Sequence, residues 1–225
     1  MIFHNVHLAY GNRTVLHNLN LEIRPGEFLF LIGASGSGKT SFIRSLIGEI
    51  QPKSGHIYND KKKDISLLGS KQVLEHRRKI GVIFQDFKLL PKKTVYENVA
   101  FAMEVCGYDN RMISKRVPEI LSHVGMLPKK DKFIETLSGW ELQRTAIARA
   151  LIHDPDIIIG DEPTGNLDPK NASEIVFLLE KLSKEGKTII IATHDDRLVD
   201  SLKKRVITFH DGKIFSDTEG WSYNL

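Results

Sequence analysis

Gly33-Ala34-Ser35-Gly36-Ser37-Gly38-Lys39-Thr40 has the form G-x-x-x-x-G-K-[ST] and runs on into Ser41. These residue types suit one task, which is holding a chain of phosphates. Glycines let backbone N–H groups curl around an anion, and a helix starting at the end of the loop adds partial positive charge. In this pattern Lys39 reaches the β- and γ-phosphates and the Thr40 hydroxyl ligates Mg²⁺. The flanks agree: an apolar run, Phe28 to Ile32, precedes the loop, and a helix-like segment, Ser41 to Ile47, comes after it. The bland alternative, a flexible Gly/Ser loop, needs neither flank. The implied ligand is a nucleoside triphosphate.

A second group of residues could do the hydrolysis. Ile157-Ile158-Ile159-Gly160-Asp161-Glu162 is an apolar strand ending in two acids. Buried carboxylates at a strand's C-terminal end are costly unless they serve a metal or a polarised water. Asp161 is then the outer-shell partner of Mg²⁺, and Glu162 the base that orients the attacking water. His194 comes just after the apolar segment Thr188 to Ala192, where it could touch the γ-phosphate, although a lone histidine is more often structural. Gln85 ends the segment Ile80 to Phe84 in the same way and could contact both the metal and the attacking water. Asn166-Leu167-Asp168 could form a contact loop, and Tyr10 could stack on a purine, with an exposed turn tyrosine as the alternative.

Leu137-Ser138-Gly139-Trp140-Glu141-Leu142-Gln143-Arg144 supports two compatible readings. Ser138 and Glu141 form an S-x-x-E capping box that opens a helix. The same helix start would present Ser138, Gly139 and backbone amides to a phosphate.

Positioning these residues takes an α/β scaffold. Phe3 to Ala9, Val15 to Ile23 and Phe28 to Ile32 read as strands, separated by turns at Tyr10-Gly11-Asn12 and Pro25-Gly26. From about Asp86 to Leu137 the period becomes helical, over Val95 to Val105 and Met112 to Val124, with Pro118 expected to begin or kink a helix. Strands return at Ile157 to Gly160, Thr188 to Ala192 and Arg205 to Phe209, with helices at Pro169 to Lys184 and Asp195 to Leu202. Asp211-Gly212 predicts a hairpin into Lys213–Phe215. Strand, phosphate loop, helix and alternating strands imply a parallel sheet covered on both faces.

Composition narrows the function classes. The chain has 225 residues, 41% of them hydrophobic, enough to bury a sizeable core as one domain with an inserted lobe. No apolar run approaches the ~20 residues that a bilayer span needs, and no basic-then-apolar signal segment opens the chain. Cys106 is the single cysteine, so no internal disulfide can form, which suits a reducing cytosol. The net charge of +4 is spread over short clusters, including Lys92–Lys93 and Lys129–Lys130, of the kind that usually form solvated faces, and nucleic acid is not an expected partner.

Taken together, Tyr10, Gly33–Thr40, Gln85, Leu137–Glu141, Asp161–Glu162, Asn166–Asp168 and His194 resemble the ordered motifs of the nucleotide-binding subunits of ATP-binding cassette transporters. The resemblance implies a P-loop NTPase fold: a RecA-like core with an antiparallel β subdomain (1–85 and 141–225) and an inserted helical subdomain (86–140). It implies ATP and Mg²⁺ as cofactors and Asp168 as a nucleotide contact. It also implies an ATP-dependent homodimer in which each nucleotide lies between one chain's phosphate loop and the other's Ser138-Gly139 motif. Asp161 to Asp168 is similar to the subgroup holding lipoprotein-release, macrolide-export and cell-division ATPases. Glu141, Ile83 to Leu90 and Thr94 to Val99 favour the cell-division branch. That branch implies a place on the cytoplasmic face of the plasma membrane beside an integral, FtsX-like membrane subunit. The alternatives are an exporter subunit or a low-turnover regulatory subunit. Trp140 departs from the family pattern, which has glycine there, and an indole at that place would obstruct close approach to a partner's γ-phosphate. Natural drift, an engineered block, and a reassigned stop codon meant as glycine in the source but written as Trp are three ways such a residue arises.

Overall fold

The computed structural model describes residues 1–220. Strands β1 (Ile2–Tyr10) and β2 (Arg13–Glu22) form a hairpin about Gly11-Asn12, pairing Tyr10 with Arg13 and Ile2 with Glu22. Gly11 has φ +57°, which such a tight connection favours. After β3 (Phe28–Ile32) comes the glycine loop and then α1 (Lys39–Leu46). β4 (Ser54–Tyr58) returns to the other side of β1, completing a three-stranded antiparallel sheet in the order β2-β1-β4. Next are α2 (Ser70–Arg77), β5 (Ile80–Phe84), α3 (Val95–Glu104), α4 (Asn110–His123) and α5 (Gly139–Leu151). The chain continues through β6 (Ile157–Asp161), α6 (Pro169–Lys184), β7 (Thr188–Ala192), α7 (Asp196–Leu202), β8 (Arg205–His210) and β9 (Lys213–Thr218).

The second sheet has six strands in the order β5-β6-β7-β3-β8-β9, parallel except for the antiparallel edge β9. Alternation along the central strands divides the apolar residues between two faces. Phe28, Phe30, Ile32, Ile189 and Ile191 pack toward α3 to α6, while Leu29, Leu31, Ile190 and Ala192 pack toward α1 and the three-stranded sheet. Each such fully buried Leu, Ile or Phe side chain contributes about 1.5–3 kcal/mol relative to exposure. Because β3 lies between β7 and β8, loops on both sides of it open a crevice at the C-terminal strand ends, where ligands bind in open α/β sheets.

Several local features depart from the sequence expectation. β4 and α2 carry almost no pattern: Ile57 is the one buried residue of β4 and His76 the one of α2. Pro118 neither begins a helix nor stops one. It lies inside α4, which starts earlier because the Asp109 carboxylate accepts from the Met112 N–H at 2.8 Å. Side chains of α2 close the far end of α1. His76 Nε2 lies 2.7 Å from the Leu46 carbonyl, and the Arg77 guanidinium donates to the carbonyls of Ile47 and Gly48 at 3.0 and 3.3 Å. Only a protonated Nε2 can donate there, so this contact fixes the His76 tautomer.

Candidate active site

The crevice is a cleft of about 710 Å³ lined by Tyr10, Gly33, Ser35, Gly36, Gly38, Lys39, Thr40, Ser41, Gln85, Asp161, Glu162 and His194, with Arg13 and Val15 beside them. One cavity thus collects most of the residues singled out by type and spacing. Its floor is the glycine loop. A Cβ at Gly33, whose φ is +140°, would meet Phe209 O at 2.2 Å and Ser37 Oγ at 2.8 Å. A Cβ at Gly38, φ +115°, would meet Leu16 Cδ2 at 2.6 Å. The loop can therefore curl this tightly only with glycine at both positions. Ser37 is buried and its hydroxyl finds no partner among the described residues, so an unspent polar group remains in the loop. Lys39 Nζ folds back on the loop, donating to Gly33 O at 2.5 Å and Ala34 O at 3.1 Å. Burial lowers its pKa, opposed by the nearby Glu162 and Asp161 carboxylates. A basket of amides around a held ammonium is a receptor for a polyphosphate.

The strand ends supply the carboxylates. Asp161 closes β6, aligned with Phe84 of β5 and Ala192 of β7. Burial raises its pKa, and the neighbouring Glu162 charge raises it further. Glu162 sits at φ +52°, outside the range non-glycine residues prefer, and its N–H donates to Ala192 O at 2.8 Å. Its side chain is held at both oxygens: His194 Nδ1 lies 2.6 Å from Oε1, and the Thr193 hydroxyl donates to Oε2 at 3.2 Å. Since a carboxylate only accepts, Nδ1 carries the proton in that contact. Thr193 was not among the residues expected from sequence, and a hydroxyl directly before His194 was the only available sign. Gln85 faces the cleft, and its carbonyl accepts from Asn166 Nδ2 at 2.7 Å. Tyr10 is 44% exposed at the rim.

Five expected ligand residues do not line this cleft: Ala34 and Ser37, which belong to the loop that forms its floor, and three that lie further off. Ser138 caps the start of α5, and Gly139 packs beside Asn166 and Leu167. Asp168 caps α6, accepting from the N–H groups of Lys170 and Asn171 at 3.1 Å each.

Comparison with known proteins settles the family. The ABC transporter family pattern matches residues 16–165. The chain is 46% identical to the cell division ATP-binding protein FtsE of Streptococcus pneumoniae (strain D39), over 93% of this chain and 91% of that protein. It is 45% identical to FtsE of Bacillus subtilis (strain 168), over 97% and 96%. The chain belongs to the ABC transporter family. Among solved structures, it is similar to the ATP-binding cassette MJ0796 in a dimeric post-hydrolysis state bound to ADP and Pi, with a TM-score of 0.86, 33% identity and 99% of each chain covered.

As an ABC ATPase, the chain binds ATP and hydrolyses it. Its departure at Trp140 has a defined geometry. The indole Nε1 donates to Glu174 Oε2 at 3.0 Å, and the Arg144 guanidinium covers the ring at 4.4 Å from its centre. Arg144 also donates to Glu174 at 2.9 Å and to Val124 O at 2.8 Å. The side chain is thus fastened to α6 rather than loose at the helix start. Glu141 reaches back to Ser138 N and Oγ, both at 2.9 Å, and pairs with Lys129. Burial pushes its carboxyl up, but these partners outweigh burial and hold it below the ordinary value.

Proposed function

We propose that this ABC ATPase is the cell-division type, coupling ATP hydrolysis to an FtsX-like integral membrane subunit from the cytoplasmic side of the membrane. The length-wide similarity to FtsE proteins supports this reading. The observation that carries the chemistry is Glu162, held at one oxygen by His194 and at the other by Thr193. A carboxylate fixed in this way can accept a proton from water aimed at the γ-phosphate, while His194 is placed to hold that phosphate. Lys39 and the loop amides hold the β- and γ-phosphates, and Tyr10 supports the base. Thr40, Gln85 and Asp161 would hold Mg²⁺, which when bound offsets phosphate charge. The donor set is all oxygen, as a hard cation requires.

In this reading two copies close head to tail, so that Ser138, Gly139 and Asp168 of one complete the cleft of the other. The chain then divides into a core with a β subdomain (1–85 and 141–225) and a helical subdomain (86–140), with Gln85 at the junction. The membrane subunit would dock along Asp86 to Tyr96. Of the candidate anchors Phe87, Leu89 and Leu90, Leu89 packs on the core as Val95 and Tyr96 do, leaving Phe87 and Leu90, both half-buried. Trp140 favours a second reading, a regulatory subunit of low turnover.

Glu162→Gln tests the chemistry: it keeps the shape and removes the base, so ATP should bind and persist. ATP turnover by Glu162→Gln equal to that of the parent would refute the assignment. Stimulation of turnover by a lipoprotein-release membrane subunit but not by an FtsX-like one would refute the cell-division assignment.

A further inference from the structure

The carbonyls of Phe87 and Lys88 are gripped from a distance. Arg149, near the end of α5, donates through one guanidinium nitrogen to Phe87 O at 2.8 Å and through the other to Lys88 O at 2.6 Å. Both gripped residues have left-handed backbones, with φ of +59° and +50°. Neither is glycine, asparagine or aspartate, and consecutive left-handed residues of this kind persist only where their surroundings impose them. Within the turn, Phe87 N–H donates to Phe84 O at 3.0 Å and Lys88 N–H to Asp86 O at 2.6 Å. Arg149 has no carboxylate within ion-pair distance among the described residues. The partly buried guanidinium therefore has its two carbonyl acceptors as its compensation.

We propose that Arg149 is a positioning residue for Gln85, holding the strained turn just past Gln85 so that its side chain faces the cleft. Gln85 is fixed from two directions: Asn166 grips its carbonyl, and Arg149 grips the turn two and three residues later. The arrangement also makes α5 a rigid link. The ten steps from Gly139 to Arg149 span about 15 Å at a rise of 1.5 Å each. They join the Ser138 cap, expected at the partner's nucleotide, to the turn beside the expected docking segment. A lysine could not replace this fork, because one ammonium cannot meet two carbonyls with the same fixed geometry.

The inference rests on Gln85 acting in the cleft, and the test separates the two claims. Steady-state ATPase kinetics and amide hydrogen exchange would be measured on the intact chain for Gln85→Ala, Arg149→Lys, Arg149→Met and Arg149→Met with Lys88→Gly. Arg149→Met should lower kcat about tenfold with KM for ATP within twofold, since the phosphate loop is untouched. Arg149→Lys should fall between Met and parent. Exchange should quicken at residues 86–89 while the α5 amides keep their protection. Lys88→Gly should restore part of kcat, because glycine takes the left-handed conformation unaided. If Gln85→Ala lowers kcat but both Arg149 variants match the parent, the positioning role is wrong. Quickened exchange spread evenly through α5 would likewise overturn it, by showing a general structural role. If Gln85→Ala itself turns over normally, the reading of Gln85 fails and the inference with it.

Discussion

Replacing Trp140 with glycine supplies the residue that the family resemblance leads one to expect at this helix start. If closure on a partner's nucleotide requires the ring to move, the contacts that fasten it set the barrier. These are a hydrogen bond to the Glu174 carboxylate at 3.0 Å and the Arg144 guanidinium at 4.4 Å from the ring centre. A hydrogen bond to a charged group contributes roughly 1.5 kcal/mol and a partly exposed cation–π contact about 0.5 kcal/mol. The sum, about 2 kcal/mol, corresponds to a factor of about 30 in rate. Trp140→Gly should therefore raise ATP turnover by about 10- to 100-fold, with ATP-dependent dimerisation strengthened in parallel. Stability should fall, because the same contacts also hold α5 to α6. A loss of about 2 kcal/mol lowers Tm by roughly 4–8 °C in a chain of this size. Trp140→Phe keeps most of the bulk and loses the N–H donor, so it should lose some stability and gain little rate. The assay is phosphate release with the membrane subunit present, beside sedimentation with and without ATP. A Gly variant that hydrolyses no faster and dimerises no better would show that the fastened ring already leaves room, and the steric reasoning would fail.

Lys39→Ala should weaken ATP binding by on the order of 10- to 100-fold by calorimetry, since a charge-assisted phosphate contact is lost, and an unchanged Kd would refute that role. Asp161 gives a pH signature in the nucleotide-free protein. Its carboxyl pKa is raised by burial, so ionisation opposes folding: the penalty is absent below the ordinary carboxylate pKa and complete once pH exceeds the raised value. Asp161→Asn should therefore raise Tm near neutral pH and lose that advantage as pH falls through the carboxylate range; a pH-independent difference would contradict it. Cysteines at Phe87 and Leu90 should crosslink to the membrane subunit's cytoplasmic segment, whereas one at Phe215, exposed on the edge strand β9, should not.

Much of this architecture was legible because the chemistry sits at strand ends. Phe28–Ile32, Ile80–Phe84 and Thr188–Ala192 are fully apolar or nearly so, which makes their limits readable. Their C-terminal ends deliver the glycine loop, Gln85 and Thr193-His194, respectively, into one cleft. β4 and α2 were illegible for the opposite reason. With one buried side chain apiece, neither has the alternation or stripe that a periodic reading needs. Thr193 and Arg149 were missed because their importance lies in the partner each bonds across space, and spacing along the chain does not encode that. Trp140 was legible as an anomaly, yet its anchorage on Glu174, thirty-four residues away, depends on the packing of α5 against α6.

The closure of α1 by His76 and Arg77 bears on how this chain tolerates change. An eight-residue helix is too short to persist alone in water, so the helix whose first turn meets the phosphates relies on neighbours for its existence. Its last carbonyls are satisfied by side chains about thirty positions further on, across the connection that carries β4. Insertions within that connection can bulge outward and leave the clasp intact, but deletions that pull His76 and Arg77 out of reach undo it. Such a shortened chain would lose grip on its nucleotide without any change in the residues that touch it, so the span between Gly48 and Ser70, outside the paired strand β4, should tolerate lengthening better than shortening.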